Sequence, residues 1–215
     1  MPSISAIIPV ANGENLPLSL LDLLKKNLSE VLVVSGPDSS APFLKAPKQS
    51  RAVQMNYAAA KAKGDYLWFI HADSFIDQEC INKLMQEIEN HPEDLLYFDL
   101  KFYGGNPLMF INELGVRLRS EIFKMPFGDQ AFCLPRSLFF DVGTYPEDAA
   151  YGEDHILSWL VRIKGKSCIS IGATIGTSPR KYIKKGWANT TLMHLYLTYT
   201  QAYPLFKKLW KKKYC

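Results

Sequence analysis

Residues 49–74 read QSRAVQMNYAAAKAKGDYLWFIHADS, a basic helix start joined to an apolar run that ends in a carboxylate. Ser50 stands where it can cap a helix over 51–63, with Ala52, Val53, Ala59 and Ala62 as the packing face and Gly64 as a C-terminal glycine cap. YLWFI at 66–70 is continuous rather than alternating, as a parallel strand covered on both faces requires. His71 and Asp73 follow at once, and they project to one side if the extended geometry persists. Ligands of open α/β sheets bind outside such strand ends. One imidazole and one carboxylate there can share a divalent metal or its water, and Arg51 at the helix start suits a phosphate by charge and by the helix dipole. The plainer alternative makes Asp73 the cap of the next helix and His71 a satisfied core histidine.

Working outward, residues 5–10 and 30–36 read as buried strands on either side of an amphipathic helix over 16–28, and a loop around Asp38, Ser39, Ser40 and Pro42 leads to the Arg51 helix. Strands alternating with helices imply a mostly parallel, Rossmann-like central sheet flanked by helices. Helices are expected over 77–91 and 107–123, with a strand at 95–104 between them. Beyond that the alternation loosens into a short strand at 130–135, a short helix at 135–143, a helix over 153–165 and a strand or hairpin arm at 167–176. No internal repeat or low-complexity linker divides the chain. With 215 residues and 47% hydrophobic composition, one substantial core is expected. The reading is a single domain with two subregions, at about 1–100 and about 101–189, and a C-terminal helical segment at about 190–215.

Several classes are excluded. The turn after the first strand, PVANGENLPL, holds one glycine, so a pyrophosphate cannot approach as it does in dinucleotide dehydrogenases, and no Walker pattern is present. The N-terminus MPSISAIIPV is too short and polar for a signal peptide, and no run of about 18 apolar residues exists. Cys80, Cys133, Cys168 and Cys215 lie far apart without paired metal-ligand spacing and read as free thiols in a reducing cytoplasm. The net charge of +4 is concentrated at the end, where KKLWKKKYC carries five lysines around an aromatic. That segment reads either as a solvated terminus or as a contact with a membrane surface or another polyanion.

Four motifs in order, IIPVANGE, SRAVQMNYAAAKAKGDYLWFIHAD, FGDQAF and GED before a helix, resemble the family 2 glycosyltransferases of the GT-A fold. With TSPRKYIKKGW near the end, the chain is similar to the bacterial subgroup called transferase 2, radical-SAM/selenodomain-associated. The resemblance implies a metal-assisted, inverting transfer of a sugar from a nucleoside-diphosphate sugar, a UDP-sugar by preference, to a hydroxyl of a sugar, lipid or small molecule. It implies no nucleic-acid partner.

Residue by residue, the resemblance puts Pro9, Ala11, Glu14 and Ser35 at the nucleoside, although Ser35 stands where many members carry an aspartate for uracil. It puts Arg51 near the phosphates, with Gln54 one turn away either in contact or in support. His71-Ala72-Asp73 occupies the place of the family's Asp-x-Asp motif. Asp73 is the implied ligand of Mn²⁺ or Mg²⁺, and His71 a ligand, a diphosphate donor or a packing residue. Asp154 is the implied general base, with Glu153 behind it; the alternative is an acidic pair that stabilises a helix N-terminus. Gly128, Asp129 and Gln130 are placed at the acceptor or donor-sugar pocket. Arg180 and Lys181 reach the diphosphate from a C-terminal loop, or else form an exposed basic turn. Trp159, Trp187 and the aromatic run 192–206 fit helix packing better than a sugar platform. If that pattern continues through Lys207–Lys213, the C-terminal helices rest on a membrane. The expected location is therefore the cytoplasm, including the inner face of the membrane.

Overall fold

The computed structural model describes residues 2–149 and 151–214, with side chains as far as residue 211. Its strands are β1 (Ile4–Val10), β2 (Glu30–Ser35), β3 (Leu44–Lys45), β4 (Tyr66–Phe69), β5 (Leu95–Phe102), β6 (Cys133–Pro135) and β7 (Cys168–Thr177). They form one sheet in the order β3-β2-β1-β4-β6-β5-β7. All pairings are parallel except those of β6, which runs antiparallel between β4 and β5. The helices are α1 (Leu18–Asn27), α2 (Arg51–Lys61), α3 (Gln78–Asn90), α4 (Met109–Glu121), α5 (Arg136–Asp141), α6 (Glu153–Ile163), α7 (Arg180–Lys185) and α8 (Trp187–Tyr214).

The run of β1 is buried at every position, as befits an interior strand between β2 and β4. Alternate side chains serve opposite layers. Ile4, Ala6, Ile8 and Val10 pack with Trp68 and Ile70 against Leu20 and Leu24 of α1 and Ile81, Leu84 and Ile88 of α3. On the other face Ile7, Leu67 and Phe69 meet Ala58 and Ala59 of α2 together with Phe139, Leu157 and Val161. Helices thus cover both faces of a largely parallel sheet, the arrangement expected of a Rossmann-like GT-A fold.

The structure departs from the sequence reading in instructive places. The loop after β2 contains β3, pinned by Lys45, whose ammonium donates to the carbonyl oxygens of Ser39 and Ala41 and, at 3.4 Å, to Ser35 Oγ. Ser50 precedes α2 in extended conformation but makes no side-chain capping bond. The helix ends two residues earlier than expected, with Ala62 as its C-cap. Gly64 is needed for a close approach rather than for a left-handed cap, because a Cβ there would lie 2.7 Å from Ser5 N. Asp77, not Asp73, caps α3 by accepting the Cys80 N–H at 2.9 Å. The 167–176 segment is one long strand parallel to β5. Cys80, Cys133 and Cys168 are buried free thiols, and Cys215 lies outside the described residues.

Candidate active site

The carboxyl ends of β1, β2 and β4 open toward the starts of α2 and α6, and there the distant motifs meet. Gln54 is 2% exposed and its amide nitrogen donates to the carbonyls of Val10 and Val34, tying the ends of β1 and β2 together. Pro9 and Ser35 are buried at those ends, while Ala11 is exposed in the following turn. Glu14 closes that turn by accepting the Ala11 N–H at 3.1 Å.

Arg51 is the hub. Its Nε donates to Glu153 Oε1, its Nη1 lies 3.2 Å from His71 Nε2, and its Nη2 is 3.7 Å from Asp154 Oδ2. Because a guanidinium only donates, His71 Nε2 is the acceptor and the imidazole is neutral. Burial and then the Arg51 charge push the His71 pKa down to about 4. Burial opposes the charge of Arg51, but Asp154 and Glu153 outweigh it and raise the arginine's pKa.

Asp154 lies in the first turn of α6, where the helix dipole favours negative charge. Its Oδ2 accepts the Gly128 N–H at 2.5 Å and its Oδ1 the N–H of His155. Burial alone would raise its pKa; Arg51 and the Gly128 N–H more than offset that and hold the carboxyl below the ordinary aspartate range. Glycine at 128 lets the backbone approach the carboxylate, since a Cβ there would sit 2.6 Å from Asp154 Oδ2 and force it to shift.

Next to it, in a 3-10 turn at Gly128–Gln130, Asp129 is pushed the other way. Burial raises its pKa despite Arg119, and its Oδ1 is buried without a hydrogen-bond partner. Gln130 is 1% exposed and braces the turn: its Oε1 accepts from Arg119, Ser120 and the Phe127 N–H, and its Nε2 donates to Phe98 O. Ala131 then takes a left-handed conformation, φ 48°, which a non-glycine residue adopts at a cost.

Across the strand end, Arg180 Nη2 bridges Asp73 Oδ2 at 3.0 Å and Glu14 Oε1 at 3.2 Å. Lys181 is exposed; its charge adds to the lowering of the His71 pKa and offsets a small part of the rise at Asp129. Among the described residues no group of three or more His, Cys, Asp or Glu side chains could hold a metal by itself. A divalent ion that keeps phosphate oxygens and water in its shell needs only one or two carboxylates. Asp73 therefore fits a site shared with a diphosphate and does not fit an all-protein cage.

The sequence reading did not single out His155 or Gln201. His155 Nε2 accepts the Trp159 indole N–H at 2.8 Å, so its Nδ1 is the protonated nitrogen facing Gln201 Oε1 at 3.3 Å. Gln201 Nε2 donates to Tyr151 O. An amide from α8 thus grips the chain on both sides of Glu153 and Asp154. Its signal in the sequence was a lone glutamine within an aromatic helical run.

The sequence profile described as Glycosyl transferase family 2 matches residues 5–145. A search of curated proteins gives no match. Among solved structures, TarS residues 1–349 from S. aureus in complex with UDP-GlcNAc is 21% identical with a TM-score of 0.59, over 82% of this chain and 58% of that one. The mannosyltransferase PcManGT from Pyrobaculum calidifontis, in complex with GDP-Man and Mn²⁺, is 17% identical with a TM-score of 0.70, over 99% of this chain and 69% of that one. GalNAc-T7 with UDP, GalNAc and Mn²⁺ is 14% identical with a TM-score of 0.63, over 82% of this chain and 44% of that one. The chain therefore spans less than two thirds of the TarS chain, and at these identities the likeness is one of fold.

Proposed function

Because the chain belongs to glycosyl transferase family 2, we propose that it is an inverting glycosyltransferase moving a hexose from a nucleoside-diphosphate sugar, a UDP-sugar by preference, to an acceptor hydroxyl. The observation that carries this reading is geometric: Asp154, held by Arg51 and the Gly128 N–H, is joined through Arg51 to His71 at the strand end that also holds Asp73 and its partner Arg180. In the proposed reaction the acceptor oxygen attacks the anomeric carbon from the face opposite the diphosphate. Its proton passes to Asp154, the bond from the anomeric carbon to the phosphate oxygen breaks, and the diphosphate leaves with the electron pair.

Each neighbouring group has a part in this scheme. Arg51 keeps Asp154 charged and, through Glu153, fixes the start of α6. Gln54 and Glu14 shape the strand ends and turn that face the nucleoside, where Pro9, Ala11 and Ser35 lie. Arg180 and Lys181 offer cationic partners to the diphosphate, whose oxygens would compete with Asp73 and Glu14 for the Arg180 guanidinium. Asp73 would hold Mn²⁺ or Mg²⁺, which would supply further positive charge to the leaving diphosphate. Gly128 allows the close approach that seats Asp154, Asp129 borders the sugar pocket, and Gln130 holds that turn in place. The donor half at about 1–100, the acceptor half at about 101–189 and the helical segment after it are the corresponding division of one domain. The subgroup resemblance and a cytoplasmic location, at or near the inner membrane face, complete the proposal.

A second reading, a non-catalytic sugar-nucleotide or glycan-binding module, is favoured by the pairing of Asp73 with Arg180 instead of a second carboxylate. Melting temperatures measured across nucleoside diphosphates and their sugars, with Mn²⁺ and again with EDTA, test the donor site. A metal-dependent rise with one base that Asp73→Ala abolishes supports the transferase. A rise that ignores both metal and Asp73 supports the module, and no rise with any nucleotide contradicts both.

A further inference from the structure

Most large apolar side chains left exposed by this fold lie on α4 with its flanks and on α7 with α8. On α8 they form a stripe at helical spacing, Leu192, Tyr196, Tyr199, Tyr203, Phe206 and Trp210, each between 48% and 68% exposed. Over these residues the stripe runs roughly 27 Å at 1.5 Å per residue. On α4, Phe110, Leu114 and Leu118 repeat every fourth residue, 61%, 54% and 44% exposed. The two helices are tied at Asn112 of α4, which accepts from the Trp187 indole at 2.6 Å and donates to Thr191 Oγ1 at 3.0 Å.

The segment that carries α7 and α8 has charge of one sign, whereas α4 holds Glu113 and Glu121 beside Arg117 and Arg119. Between Ser178 and Cys215 there is no Asp or Glu, against nine Lys and Arg. Phe206, Lys207, Trp210 and Lys211 together line a hollow on α8. Tyrosine and tryptophan with lysine at the margin is the composition that settles at the boundary between lipid headgroups and acyl chains. No helix among the described residues is long and apolar enough to cross a membrane.

We propose that the exposed faces of α4 and α8 form one docking surface for an anionic lipid bilayer, on which α8 lies in the interface plane. The apolar stripe enters the headgroup boundary and the lysines meet the lipid phosphates. This docking does not depend on the chemistry proposed for the cleft. The helix that docks is also the one whose Gln201 grips Tyr151 and His155 beside Glu153 and Asp154.

The test is flotation of the full chain with vesicles of phosphatidylcholine alone and of phosphatidylcholine mixed with phosphatidylglycerol. The expected result is capture by the anionic vesicles, weakened by high salt, with a blue shift of tryptophan emission. Lys207→Glu and Lys208→Glu should each weaken capture at least about fivefold, the effect of removing one basic residue near an anionic surface. Tyr199→Glu with Tyr203→Glu should abolish capture while leaving the melting temperature and nucleotide binding unchanged. Equal capture by neutral and anionic vesicles, or no capture by either, would overturn the proposal. So would a dimer in sedimentation that the same tyrosine substitutions dissolve, because the face would then be covered by a second copy.

Discussion

Gly128→Ala is the smallest change that reaches the centre of the site. A Cβ at this position would lie 2.6 Å from Asp154 Oδ2 and 2.8 Å from Asp154 Cβ, whereas ordinary contact begins at 3.4 Å. The carboxylate must therefore retreat by about 0.8 Å, and the 2.5 Å bond from the Gly128 N–H is stretched or lost. A misplacement of about 1 Å at a reacting group costs about 10²-fold in rate. The lost hydrogen bond to a charged group costs about 1.5–3 kcal/mol, while replacing glycine by alanine returns about 0.4–1 kcal/mol through the unfolded chain. Net destabilisation is about 1–2 kcal/mol, a fall of roughly 2–8 °C in melting temperature for a chain of this size. The assay pairs release of nucleoside diphosphate with nucleotide binding followed by melting. Turnover should drop about 10²-fold while binding persists. Wild-type turnover in a folded Gly128→Ala protein would refute the placement of the base, and loss of binding together with turnover would reduce Gly128 to a structural residue.

Three further outcomes are expected. Arg51→Met leaves Glu153 and Asp154, whose side chains are each 10% exposed, without their cation. Discounted for an arginine that is itself 38% exposed, this should cost about 1–3 kcal/mol in thermal or urea unfolding near neutral pH. Asp154 has a lowered folded pKa, so its contribution is present above the ordinary aspartate value and lost as pH falls through the lowered one; the wild-type advantage should vanish on that acid side. His155 is held neutral, with burial as the main cause of a pKa of about 4, so stability should decline as pH falls from about 6.5 to 4, where only the unfolded imidazole takes a proton. His155→Gln should flatten that slope in urea titrations across the same pH range, and an unchanged slope would contradict the assignment. Arg180→Ala, at a residue 57% exposed on its side chain, should leave the melting temperature within about 1 °C and weaken nucleoside-diphosphate binding about tenfold in calorimetry.

The parts of the fold with strong patterning were legible before the structure. β1 and β4 announce themselves as apolar runs because burial on both faces leaves little alternation to misread, β2 as an apolar run that is partly buried until its last two residues, and α2 as an alanine-lined face. β6 and β3 were not legible in their roles, since three residues and two residues carry no period and the antiparallel direction of β6 is set by the sheet around it. Gly64 was seen as a cap because glycine is usually chosen for its dihedral freedom; here the missing Cβ makes room for the backbone of β1. The pieces of the site were legible as motifs, but their pairing was not. Arg51 meets Glu153 across 102 residues and Arg180 meets Asp73 across 107, distances over which no local pattern operates. Gln201 was hidden by its surroundings: a helix read as apolar packing gave no reason to expect an amide aimed at the start of α6.

The measurement that bears most directly on the account is release of nucleoside diphosphate from a panel of sugar nucleotides, in the presence of Mn²⁺, by the wild-type chain and by Asp154→Asn. The account predicts turnover of one donor class by the wild type and a loss of about 10²–10⁴-fold in the variant with donor binding kept. No release from any donor by a folded wild-type protein, or equal release by both proteins, would contradict it.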